Sequence, residues 1–112
     1  MPATGAKRQK VVQTMPETIT PAVENFVRGR GLAEPLLQAK ELVRRILPDA
    51  RGLFVDLEED LDDEENPTIR FHITTAESVD RVLELNNALE DAFCREIPAQ
   101  HRVFFSYTYR LE

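Results

Sequence analysis

The chain contains no apolar run approaching the roughly 20 residues that cross a bilayer, and its opening stretch MPATGAKRQK is basic with no apolar segment behind it. Neither secretion nor membrane anchoring is expected. A single cysteine, Cys94, rules out an internal disulfide and makes a reducing cytoplasm the expected setting. Its neighbours Ala92, Phe93 and Ile97 suggest a partly packed helix position, and no local motif activates it as a nucleophile. The four glycines, Gly5, Gly29, Gly31 and Gly52, form neither a dinucleotide fingerprint nor a triphosphate-binding loop, so no cofactor is expected. Basic charge is also short. Fourteen Lys and Arg against 20 Asp and Glu give a net charge of −6, which argues against direct nucleic-acid binding because neutralising phosphates requires a basic footprint. The first 30 residues are a modest exception, with five basic side chains against Glu17 and Glu24.

What the chain does have is concentrated between Leu53 and Thr75. Leu53, Val55 and Leu57 alternate with Phe54, Asp56 and Glu58, and Ile69, Phe71 and Ile73 alternate with Arg70, His72 and Thr74, the period of two that marks half-buried strands. Between them runs EDLDDEEN. Positions 56–65 hold eight carboxylates, so taking that decade out of a net charge of −6 leaves +2, and the acidity is local. Pairing Leu57 with Ile69 would set Asp56 opposite Arg70 and Phe54 opposite His72.

With its 112 residues the chain reads as holding a single α+β domain. Residues 1–19 have too few large apolar groups to offset the entropy of ordering them, and are expected to form a flexible arm ahead of a domain spanning 20–112. Thr20 and Pro21 signal a helix start, and Gly31 supplies a left-handed stop. A second helix runs from Pro35 to Pro48 with Leu36, Leu37, Ala39, Leu42, Val43, Ile46 and Leu47 on one stripe. A third, capped by Thr75 or Ser78 and ended by Pro98, places Val79, Val82, Leu83, Asn86, Leu89, Phe93 and Ile97 inward. RVFFSYTYR is the strongest strand signal, with Val103, Phe105, Tyr107 and Tyr109 alternating with Phe104, Ser106, Thr108 and Arg110. The expected order is α-α-β-β-α-β, with helices on one face of a small three-stranded antiparallel sheet of order 2-1-3. The helix, hairpin, helix, strand succession is loosely similar to some RNA-binding α/β modules. It lacks their GxxG loop and aromatic strand motif and carries charge of the wrong sign, so that function does not transfer.

Three functional readings follow. The first is a non-enzymatic cytoplasmic interaction domain that self-associates or docks a protein partner through its sheet face or edge, with Phe54, Arg70, His72, Phe104, Tyr107 and Tyr109 as interface residues. The second is a small hydrolase or transferase using His72, Asp56 or Ser106, metal-dependent if Asp56, Glu58 and His72 converge. The third is an acidic antagonist of a nucleic-acid-binding protein, in which Asp60, Asp62, Asp63, Glu64 and Glu65 dock a basic surface. A calcium loop is not expected, because Leu61 stands where the EF-hand needs Gly and Pro67 where it needs Glu.

Overall fold

The fold is that of a computed structural model whose described residues are 15–60 and 62–112; the side chains of Asp60, Asp63, Glu64 and Glu65 are outside that description. In chain order the elements are Glu17–Ile19 (β1), Pro21–Arg30 (α1), Ala33–Ile46 (α2), Gly52–Asp60 (β2), Asp63–Thr75 (β3), Val79–Glu96 (α3), Ala99–Arg102 (α4) and Phe105–Leu111 (β4). The strands form one mixed sheet in the order β1-β2-β3-β4. β1 is parallel to β2, β2 antiparallel to β3, and β3 parallel to β4.

The helices begin and end for local reasons. Thr20 is extended and its hydroxyl accepts from the Val23 amide, Pro21 occupies the first turn, and Gly31 closes α1 at φ 68°, a left-handed conformation that suits a residue without Cβ. Ser78 caps α3 by accepting from the Arg81 amide at 3.2 Å. α2 starts without a side-chain cap and stops at Ile46, two residues before Pro48. Its buried face, Leu36, Ala39, Leu42 and Val43, meets the strand face that carries Leu53, Val55, Ile69, Phe71 and Ile73. Removing the larger of these side chains from water contributes about 1.5–3 kcal/mol each and drives the assembly.

The α+β class and the hairpin register are as expected: Leu57 pairs with Ile69, Asp56 with Arg70 and Phe54 with His72. The three-stranded antiparallel order 2-1-3 is corrected in two ways. The last strand joins β3 in parallel instead of β2, because α3 returns the chain as a β-α-β crossover. The outer side of β2 is already taken at Leu53–Val55 by β1. Glu17–Ile19 therefore belong to the sheet and not to a flexible arm; residues 1–14 of that expected arm lie outside the described residues.

Three side-chain expectations also change. Leu37, Val79 and Leu83 are exposed, not part of the inward stripes, and Val103 lies in a turn ahead of β4. Cys94 is exposed. The acidic run is not a long loop, since the strands continue as far as the pair of Asp60 with Asp63. One residue of β2 there faces four of β3, a bulge that includes Asn66 and a buried Pro67.

Candidate functional site

β4 forms one edge of the sheet, and its ladder to β3 determines what that edge presents. The Ile69 amide donates to the Phe104 carbonyl at 2.7 Å, and the Glu112 amide donates to the Thr75 carbonyl at 3.0 Å. With Ile69 paired to Phe105 and Thr75 to Leu111, the alternation of a parallel ladder commits residues 104, 106, 108, 110 and 112 to β3. The amides and carbonyls of Phe105, Tyr107, Tyr109 and Leu111 therefore point away from the sheet. Among the described residues no strand lies beyond them.

The side chains of the same four residues turn toward the helices, which fixes the strand in place. Phe105 meets Phe71 and Phe93 edge-on, and Tyr107 lies 5.4 Å from Phe93, centroid to centroid. The Tyr109 hydroxyl donates to Asn86 Oδ1 at 2.9 Å. Burial, reinforced by the Glu90 carboxylate, pushes the Tyr109 phenol up to about 12. The Tyr107 phenol is raised further by burial and by the same carboxylate. Asn86 continues a stripe that begins one and two turns earlier with Val79 and Leu83, which are 59% and 57% exposed. That stripe starts just past Thr75, the residue paired with Leu111, itself 44% exposed. Val79 and Leu83 thus share a helix side with Asn86, the residue that bonds Tyr109 of the edge strand.

The face of the sheet turned away from the helices carries a polar row. His72 Nε2 is 2.9 Å from Asp56 Oδ1, Thr108 Oγ1 is 3.3 Å from His72 Nδ1, and the Phe54 ring lies 5.6 Å from the imidazole. Asp56 and Arg70 are paired in register, yet Asp56 bonds diagonally to His72 and Arg70 bonds diagonally to Glu58 at 2.5 Å. Side chains lean along the strand, so diagonal partners are within reach of long polar groups. Arg70 Nε and Ser106 Oγ are buried with no hydrogen-bond partner. The carboxylate, imidazole and hydroxyl sequence can polarise Thr108, not Ser106, as a nucleophile.

Chemistry also needs a cavity and donors for developing charge. Clefts among the described residues include one of about 60 Å³ around Thr75, Ala50 and Leu85 and shallow grooves along α2. None of these is lined by Asp56, His72 or Ser106. Among the described residues no three metal-ligating side chains converge, and Glu58 is engaged by Arg70 instead of joining Asp56 and His72.

Of the interface residues expected from sequence, Phe54, Arg70 and His72 share the open face. Phe104 does not: its ring meets Phe26 of α1 edge-on at 5.8 Å and Arg30 stacks over both rings. Tyr107 and Tyr109 lie against the helical layer and reach the edge through their backbone. Sequence reasoning missed Val79, Leu83 and Leu111; the i, i+4 spacing of the first two was visible but was read as core. Comparison with known protein families, with curated proteins and with solved structures finds no match for the chain.

Among the described residues, no helix is long and apolar enough to cross a membrane.

Proposed function

We propose that this chain is a non-enzymatic protein-interaction domain whose β4 edge accepts an extended strand from a protein partner. The outward amides and carbonyls of Phe105, Tyr107, Tyr109 and Leu111 support the reading most directly, because such a row offers main-chain hydrogen bonds to an added strand. Val79, Leu83 and Leu111 supply the apolar contact that gives such pairing affinity. The acidic hairpin, from Asp56 through Asp60 and Asp62 to Glu65, steers partners whose surface is basic.

Short random peptides selected on the full-length protein test this. Bound peptides are expected to slow amide exchange at Phe105, Tyr107, Tyr109 and Leu111 and to leave the already bonded Ser106 and Thr108 amides unchanged. Basic peptides are expected to associate more slowly at high salt. Protection that maps to the grooves of α2 or to the Asp56–His72 face, with the four β4 amides unaffected, overturns the reading.

A further inference from the structure

We infer that the strand taken up by this edge is β4 of a second copy of the chain, in a twofold antiparallel pair that joins two sheets into one. The inference rests on the strand-addition reading and names its partner. Only odd-numbered β4 residues carry free outward groups, so the two strands must pair odd with odd. The register that sets Phe105 against Leu111 of the second copy, and Tyr107 against Tyr109, leaves none of the four unused.

That register is also chemically self-consistent. On the helix side it makes two Phe–Leu and two Tyr–Tyr cross-strand pairs, the kinds that stabilise antiparallel ladders. On the open side it sets Thr108 against Thr108 at the twofold axis and each Arg110 against Ser106, so within the paired strands no like charges are opposed. Both helical layers fall on the same side of the joined sheet, where Val79 and Leu83 of each copy flank the junction.

Charge selects antiparallel over parallel pairing. The acidic hairpin projects beyond the end of the sheet where Ile69 pairs with Phe105. A parallel pair would bring two sets of eight carboxylates to the same end. An antiparallel pair sends them to opposite ends, several Debye lengths of about 8 Å apart.

Light scattering across a concentration series should give twice 12.8 kDa, and Leu83→Lys with Leu111→Lys should weaken the pair about a hundredfold while circular dichroism stays native. In a Cys94→Ser background, Thr108→Cys is expected to form a disulfide-linked pair on mild oxidation. Opposed non-hydrogen-bonded residues lie about 4.5 Å apart at Cα, within disulfide reach. Ser106→Cys, set four residues from its own copy, is expected not to. A mass of 12.8 kDa at the highest soluble concentration overturns the inference. If selected peptides then still protect the four outward amides, strand addition stands and self-pairing alone falls. A dimer whose β4 amides exchange as in dilute protein overturns self-pairing through this edge, and peptides that also leave these amides unprotected overturn strand addition with it.

Discussion

β1 meets β2 over three residues, Glu17–Ile19, and beyond it β2 continues into a hairpin thick with carboxylates. β4 meets β3 over seven residues, Phe105–Leu111, and carries one charge, Arg110, and no proline. The first edge is blunted by the two devices that keep strands from pairing with strangers, a very short edge strand and repelling charge. The second has neither. Among the described residues the two sides of the sheet are therefore unequally protected, and it is this inequality that the strand-addition proposal uses.

The two edges are also fastened differently. β4 is held by packing, since Phe105 and Tyr107 rest on Phe93, a ring only 5% exposed. β1 is held by charge, since Glu17 bonds Lys40 at 3.0 Å and also Arg44, both on α2. The sharpest way to break the comparison is to truncate a residue behind each edge. Phe93→Ala should cost about 3–5 kcal/mol in urea unfolding and should raise exchange first at β4. Ile19→Ala, at a partly buried site, should cost about 1 kcal/mol and loosen β1 alone. Equal losses from the two variants would mean that the edges are not separately anchored.

Alkali gives the next largest effect and acts only on the packed edge. The folded Tyr109 phenol sits at about 12 against an ordinary 10.0, raised by burial and then by Glu90, and Tyr107 is raised in the same sense. A raised pKa means that the fold favours the neutral phenol. The associated stability is complete below pH 10 and is lost as pH climbs toward 12. These are the chain's two tyrosines and it has no tryptophan, so phenolate absorbance reports on β4 alone. Native protein should titrate late and urea-unfolded protein at the ordinary value. Coincident curves would show that β4 does not bury its phenols.

These edges were unequally legible from the sequence. The hairpin register followed from period-two alternation at Leu53–Leu57 and Ile69–Ile73, because a slip of one residue would turn both apolar sets outward. Thr20, Gly31 and Ser78 announced helix ends through backbone chemistry that is local. β1 was hidden, since three residues show no period and its partner is distant in sequence. The place of β4 was hidden too, because helix length alone allowed the returning strand to reach either side of the hairpin. Alternation with Phe105 would set Phe104 on the open face, but Phe104 precedes β4 in a turn, where alternation no longer governs direction. The Asp56–His72 and Glu58–Arg70 bonds show the remaining gap: register fixes which residues are opposed, and side-chain length decides which diagonal they use.

The smallest effect belongs to the charged edge and has the opposite pH sign. Burial alone would raise the Glu17 carboxyl, but hydrogen bonds and charge from Lys40 and Arg44 outweigh it and hold the group below its ordinary 4.5. A lowered pKa contributes stability above pH 4.5 that disappears as pH falls through the folded value. Glu17→Gln should therefore cost about 1 kcal/mol at neutral pH and should flatten the loss of stability on the acid side. It should leave the phenol titration of β4 unmoved, because Glu17 lies three strands away across the sheet. A shift in the Tyr107 and Tyr109 titration in this variant would show that the two edges are coupled through the core, and the β4 edge could not then be tuned independently of β1.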